Sequence, residues 1–387
     1  MLASINPALP HAPAAAERRT LVMHDTRPAD RPPGHDRQSR ANVAQRLAET
    51  LGWTFGGRHD AAAAYRHRPY FVPHDALLAH DATALGIRGA DDLFGGVVPH
   101  AFVATKALTH PLVDRNAVAP IGWSRAFAER AGNAVLHGYT TFARTDARRA
   151  ALLLLRDGAV RIKCVSGIGG AGQHLAETAD EIDAALAAID DGEFERAGVT
   201  IEQNLDDSVT FSVGVVACGG ERVAYCGTQR TTINSHGHEV YGGSTLDVVR
   251  GGFAALLAQR LPAERRAAVE LAQAYDAAAF AAYPGAYASR RNYDVLFGRD
   301  AAGHRRAGVL EQSWRIGGAS GAEVMAIAAF RRDPLRARVR CESVEIYDAA
   351  CPVPEGAFVY YRGVDAAVGG LTKYAVELDG DDGNEDA

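Results

Sequence analysis

The stretch Val160–Gln173, VRIKCVSGIGGAGQ, decides how this chain is read. Its first half alternates apolar Val160 and Ile162 with polar Arg161 and Lys163, the period of a half-buried strand. Its second half, Gly167-Ile-Gly-Gly-Ala-Gly172, matches G-x-G-x-x-G, so a Rossmann-type dinucleotide-binding unit is one candidate. Two features weigh against that unit. Its strand would be apolar on both faces, and the helix signalled by the capping box of Thr178 and Glu181 starts too far beyond Gly172 for its N-terminus to hold a pyrophosphate. A second candidate is a flap, whose backbone N–H groups close over nucleotide phosphates while Lys163 neutralises them. A plain connecting turn is the third.

Working outward, residues 147–158 (ARRAALLLLRDG) read as helical or mixed in period, and residues 199–205 (VTIEQNL) as a strand. Residues 209–230 form two strands turning at Gly219-Gly220, so a new sheet begins near residue 206. Residues 261–283 are an Ala-rich helix stopped by Pro284-Gly285, followed by strand patterns at 293–298 (YDVLFG) and 307–313 (AGVLEQS). A β-rich stretch closes the body after residue 334. Towards the N-terminus, residues 20–25 read as a strand and 37–53 as an amphipathic helix ending near Gly52. The expected organisation is a disordered arm (1–18), an N-terminal α/β lobe (19–110), a central α+β lobe (111–204), a C-terminal α+β lobe with a β-rich extension (205–376) and an acidic tail (377–387).

Composition bounds the function. With 387 residues, 41 Lys+Arg and 47 Asp+Glu, the formal net charge is −6, which speaks against a basic nucleic-acid surface. No apolar run reaches membrane-spanning length, and the start lacks the pattern of an export signal. Five cysteines without CxxC spacing suit neither a disulfide framework nor a zinc ribbon, so a reducing cytoplasm is expected. Lysine occurs only at Lys106, Lys163 and Lys373; the remaining basic residues are arginine. A bias that turns exchangeable lysines into arginines spares positions where a compact ammonium is required, so the surviving lysines are suspects for chemistry.

Glu311, Ser313 and Arg315 stand at i, i+2 and i+4 and share one strand face. Asp294, on the preceding strand of an expected hairpin, would lie beside Glu311, and two such oxygen donors suit Mg²⁺ carried by nucleotide phosphates. A surface Asp and a strand Glu paired with Arg315 is the other reading. The polar segment Gln229–His238 carries Arg230, His236 and His238; its H-x-H reads as surface rather than metal site. Cys164 reads as an apolar filler.

Taken together, these pieces over residues 100–330 resemble the ATP-grasp superfamily, closest to bacterial ATP-grasp-like proteins of unknown function. The resemblance implies two α+β lobes enclosing ATP, with Mg²⁺ as second cofactor. Lys106 resembles the family's first phosphate-contacting lysine and Lys163 the second, followed by a flap of Gly167, Gly169, Gly170 and Gly172. Glu202, Gln203 and Leu205 are similar to the strand that holds adenine. Asp294, Glu311 and Ser313 fall at the metal positions, and Arg315, with Arg230 as second choice, at the arginine facing an acyl phosphate. The usual E-x-N reads Glu311-Gln312-Ser313 here, and the usual ribose-binding acid is Val209, leaving Asp206 or Asp207 as substitutes. The implied activity is ligation of a small-molecule carboxylate to an amine or similar nucleophile. Alternatives are a non-catalytic or regulatory ATP-binding protein, or a Rossmann-type enzyme. No nucleic-acid or membrane partner is expected, a homodimer is possible in principle, and Lys373, outside the pattern, is expected to be replaceable by arginine without effect.

Overall fold

The computed structural model describes residues 18–25, 34–167 and 172–378; the arm up to residue 17, Gly169 and Gly170 of the glycine loop, and the tail from residue 379 lie outside the described residues. The N-terminal lobe opens on a parallel sheet of order β2-β1-β3, built from β1 (Thr20–His24), β2 (Thr54–Arg58) and β3 (Pro69–Pro73). The helix His35–Leu51 makes the crossover between the first two and stops at Gly52, whose φ of 70° suits a residue without Cβ. A second small sheet pairs β4 (Leu77–Leu78) and β5 (Gly96–Val98) with β13 (Tyr287–Ala288), which pins this lobe to the C-terminal body.

The deciding stretch lies in a four-stranded antiparallel sheet of order β6-β9-β7-β8, formed by β6 (Gly138–Thr141), β7 (Val160–Cys164), β8 (Gln173–Ala176) and β9 (Val199–Gln203). Val160, Ile162, Val199 and Ile201 bury one face against the helices Arg144–Leu154 and Ala179–Ala188. The alternation therefore meant what a period of two means. Because β7 pairs antiparallel with both β8 and β9, the Rossmann alternative is overturned: its strand would need parallel neighbours. The chain does not pass from the glycine loop straight into the helix. Gln173–Ala176 first returns as β8, antiparallel to β7, and only then does Thr178 Oγ1 accept from the Glu181 N–H (3.2 Å) to cap the helix.

The C-terminal body is one antiparallel eight-stranded sheet, order β15-β14-β10-β11-β12-β16-β18-β17. Its strands are β10 (Asp206–Cys218), β11 (Glu221–Ile233), β12 (Glu239–Arg250), β14 (Arg290–Arg299), β15 (Arg305–Ser313), β16 (Arg338–Ile346), β17 (Phe358–Asp365) and β18 (Gly369–Leu378). Val213, Val215, Tyr293 and Val295 pack one face in a core shared with the helix Ala263–Ala282. Tyr225, Leu246, Val248 and Cys341 pack the other in a core shared with the helix Ser320–Arg332. The polar segment Gln229–His238 is half strand: residues 229–233 belong to β11, and residues 234–238 connect to β12 at Glu239.

One buried ion pair crosses this second core. Arg290 and Glu323 have side chains 1% and 0% exposed, and the guanidinium donates to the carboxylate through Nε and Nη2 (2.8–3.1 Å). Arg290 Nη1 donates to the carbonyls of Ser313 (2.9 Å) and Arg315 (2.6 Å), while the Tyr225 hydroxyl donates to Glu323 (2.5 Å). Removing one partner of such a pair strands the other charge, at a cost of about 3–5 kcal/mol. Glu323→Ala should accordingly lower the urea midpoint sharply. Asp183→Ala, which breaks the exposed pair with Arg148, should leave it unmoved; equal midpoints for the two variants would refute this account of the core.

Candidate functional site

The register of the four-stranded sheet puts Lys163 and Glu202 together. Arg161 faces Glu202 and Lys163 faces Thr200 across β7 and β9, so these side chains occupy the face opposite Ile162 and Ile201. Lys163 forms an ion pair with Glu202, and His110 Nε2 lies 3.1 Å from Glu202 Oε2. Gly138 permits this arrangement: a Cβ there would stand 2.8 Å from the His110 ring. Burial alone would raise the Glu202 pKa, but the Lys163 ammonium and the His110 contact prevail and hold it at about 2. The carboxylate expected to face adenine is thus buried and committed to a lysine and a histidine.

Two of its expected companions lie at the passage between sheets. The Gln203 N–H donates to the His137 carbonyl (2.9 Å), and Leu205 is buried against the backbone at Gly298. Asp206 and Asp207 are exposed at the start of β10, with Asp207 at φ 48°.

Lys106 enters from a short turn of helix, Lys106–Leu108. Its Nζ donates to the Gly167 carbonyl at the base of the glycine loop (3.0 Å) and lies 3.1 Å from Glu311 Oε2. Gln312 fixes this approach: its Nε2 donates to the carbonyls of Val103 (2.6 Å) and Thr105 (3.0 Å), and its Oε1 accepts from the Tyr275 hydroxyl (2.7 Å). Thr109 adds a bond to the Leu310 carbonyl (3.1 Å). The residue between Glu311 and Ser313 therefore clamps the lysine-bearing segment to β15.

On β14 and β15 the register pairs Asp294 with Glu311 and Asn292 with Ser313. Gln229 (2.7 Å) and Asn292 (2.9 Å) both donate to Asp294 Oδ1. Burial, reinforced by the charge of Glu311, pushes Asp294 up to about 7. Two carboxylates forced to share a site in this way fit a hard divalent cation, whose charge would relieve their repulsion. Among the described residues no group of three or more His, Cys, Asp or Glu could hold a metal, so such a cation would draw its other oxygens from elsewhere. The Ser313 hydroxyl accepts from Arg290 Nη1 (3.3 Å). Arg315 Nη1 donates to the Ile316 carbonyl (3.0 Å), and its Nε is 3.9 Å from Asp75.

The structure brings Lys106, Gly167, Asp294, Glu311 and Ser313 into one region and places Lys163 and Glu202 on the polar face of the four-stranded sheet; Gly172 closes the loop at φ 72°. It does not bring Arg230 there. Arg230 follows Gln229 on β11, points to the other face, and pairs with Glu342. Sequence reading passed over His110, Gln229, Asn292 and Gln312. Their signal is a polar side chain in the middle of a strand or beside a suspect lysine, which gains meaning only when the partner strand is known.

The Glu202 value sets a pH dependence. A folded value of about 2 below an ordinary 4.5 means that this carboxylate contributes stability above pH 4.5 and loses it as pH falls towards 2. The stability advantage of the wild type over Glu202→Gln should shrink across that window in denaturant titrations, and parallel pH profiles for the two proteins would exclude the ion pair.

Comparison with known proteins follows the same lines. The N5-carboxyaminoimidazole synthetase of Staphylococcus aureus, solved with ADP, superposes with a TM-score of 0.54 at 11% identity, covering 95% of this chain and 96% of that one. The phosphoribosylamine–glycine ligase of Thermotoga maritima gives 0.52 at 14% identity, covering 93% and 92%. Biotin carboxylase of Campylobacter jejuni gives 0.50 at 12% identity, covering 94% and 88%. No curated protein sequence matches the chain. No helix among the described residues is long and apolar enough to cross a membrane. The fold is that of the ATP-grasp proteins. Residues 21–375 match the family described as "Protein of unknown function (DUF3182)", and the chain belongs to that family.

Proposed function

We propose that the protein is an ATP- and Mg²⁺-dependent ligase, which activates a carboxylate as an acyl phosphate for attack by an amine or similar nucleophile. One observation carries this reading: Lys106 meets the base of the glycine loop and the Asp294–Glu311 pair at the same point. Two cationic side chains, a glycine loop and a carboxylate pair are the parts that phosphoryl transfer needs, because its catalysis is chiefly positioning and charge neutralisation. The ATP-grasp fold and the ADP in the staphylococcal relative support a nucleotide here.

Lys106 and Lys163 contact the phosphates, and the backbone around Gln203 and Leu205 receives the adenine. Asp294 and Glu311 would hold Mg²⁺, and the ion would supply charge neutralisation at the phosphates. The acid's carboxylate oxygen bonds to the γ-phosphorus as the bond to the ADP oxygen breaks. The amine then bonds to the acyl carbon, inorganic phosphate departs, and the amine's proton passes to solvent or phosphate. Arg315 neutralises the acyl phosphate and the oxyanion formed on attack. Lys163 reaches a phosphate by exchanging Glu202 for it, and Glu202 with His110 positions the ammonium until then.

A second reading has its own observation. The Ser313 hydroxyl, at the position of the usual metal-binding asparagine, already accepts from Arg290, which favours a regulatory nucleotide-binding protein without turnover. ADP release on offering mixed carboxylates and amines separates the two.

Lys163→Arg should weaken ATP binding measured by calorimetry although charge is kept, because the planar fork does not fit the position of a compact ammonium paired with Glu202. Unchanged affinity would remove Lys163 from the site. Glu311→Gln should abolish Mg²⁺-dependent nucleotide binding or turnover, and Ser313→Asn should lower the Mg²⁺ requirement or leave it as it is. A Glu311→Gln variant that titrates with Mg²⁺ like the wild type would take the centre out of the ligase reading.

A further inference from the structure

Lys373, expected to be inert, is 5% exposed and sits on β18, where the register sets it beside Glu345 and Tyr361. Its Nζ is 2.9 Å from Glu345 Oε2 and 3.9 Å from Asp36 Oδ1, which belongs to the first turn of the helix His35–Leu51. Asp36 also lies 3.7 Å from Arg40, which contacts His74 (3.2 Å). Arg315 faces Asp75 (3.9 Å), next in sequence to His74. Burial raises the Asp36 carboxyl, but the charges of Lys373, Arg40, His35 and Arg315 prevail and hold it below the usual range.

Tyr241 closes the circuit back to the carboxylate pair. Its hydroxyl is 2.7 Å from Ser244 Oγ, and its ring lies against Gly318, where a Cβ would stand 2.5 Å from it. The neighbouring Gly317 approaches both Arg315 and the Ser313 hydroxyl. Ser244 faces Gln229 across β12 and β11, and Gln229 donates to Asp294 (2.7 Å), which carries the contact on to the carboxylate pair. Burial, together with the charges of Glu345 and Asp294, raises the Tyr241 phenol. A ring thus runs from Ser313 through Arg315, Asp36, Lys373, Glu345 and Tyr241 back towards Asp294. It is bounded by the N-terminal lobe on one side and by β12, β16 and β18 on the other.

The charges of this ring balance. Asp36, Asp75 and Glu345 oppose Arg40, Arg315 and Lys373, while nearby Asp365 is occupied by the backbone N–H groups of His35, Ala367 and Val368. A net-neutral ring with separated acid and base does not suit a polyanion. It suits a molecule that carries one charge of each sign. Buried ion pairs of this kind are weak stabilisers compared with apolar packing, so stability alone does not account for a buried lysine in a chain that otherwise uses arginine. The Lys373 and Glu345 side chains are largely buried, while Asp36 (50% exposed) and Arg315 (25%) are open to solvent.

Resting on the ligase reading, we propose that this ring binds the acid to be activated, and that the acid is a small zwitterion of the α-amino-acid type. Its carboxylate lies against Arg315 and Lys373, and its ammonium against Glu345 and Asp36. The site is built by parts of the chain more than 300 residues apart in sequence, Asp36 and Lys373 among them.

The test uses the full chain loaded with Mg²⁺ and a slowly hydrolysed ATP analogue, titrated calorimetrically with glycine, L-alanine, L-glutamate and L-lysine, and with acetate, propionate and ethylamine as single-charge controls. ADP release with ATP is followed in parallel. The expected result is that at least one amino acid binds the wild type more tightly than every control. Its affinity should fall about tenfold or more in Lys373→Met and in Glu345→Gln, the cost of one charge-assisted contact, with nucleotide affinity kept. Glu345→Gln preserves size and serves if Lys373→Met does not fold. The proposal is overturned if no amino acid binds the nucleotide-loaded wild type, if a control binds equally well, or if the variants bind as the wild type does. ADP release with a simple acid, indifferent to both variants, would leave the ligase reading standing and remove this site; amino-acid binding that depends on Lys373 without ADP release from any mixture would uphold the site and remove the ligase reading.

Discussion

The Arg290–Glu323 pair is the constraint on which the rest of the C-terminal body depends. It joins the start of β14 to the helix Ser320–Arg332 through a core in which both side chains are buried. The same guanidinium holds the carbonyls of Ser313 and Arg315, so the chain leaving β15 has one permitted course. That course sets where Arg315 points and how Gly318 passes Tyr241. A lysine could not do this, since the task needs several donors in a fixed plane.

Much of this was legible in the chain itself, and the reason is local. Val160–Cys164 alternates because one face packs on helices and the other faces polar groups, and that pattern needs no knowledge of distant residues. Asp294 and Glu311 could be paired from a hairpin register alone. What escaped reading was non-local. Glu202 reads as an open strand acid until His110, far earlier in the sequence, is found against it. Lys373 looks replaceable until the first helix supplies Asp36 above it. Arg230 was placed with the site as second choice on the resemblance; as the strand neighbour of Gln229, it cannot share a face with that residue. The short strand Gln173–Ala176 escaped because four residues carry too little pattern to announce a strand.

The cations of the site share one property: each has an internal carboxylate partner. Lys106 has Glu311, Lys163 has Glu202, Lys373 has Glu345 and Arg315 has Asp75. An incoming anion therefore gains contact by exchange, and the net gain is the difference between two ion pairs rather than the whole of one. Exchange at Lys106 has a particular condition. If this lysine turns from Glu311 to a phosphate, Glu311 and Asp294 are left facing each other with no cation between them, in an environment that already pushes Asp294 up to about 7. Lys106 can make that turn at low cost only where another positive charge has taken its place at the carboxylates. On the ligase reading, nucleotide and divalent cation are for this reason expected to bind as a unit, and Lys106 is the residue that couples them.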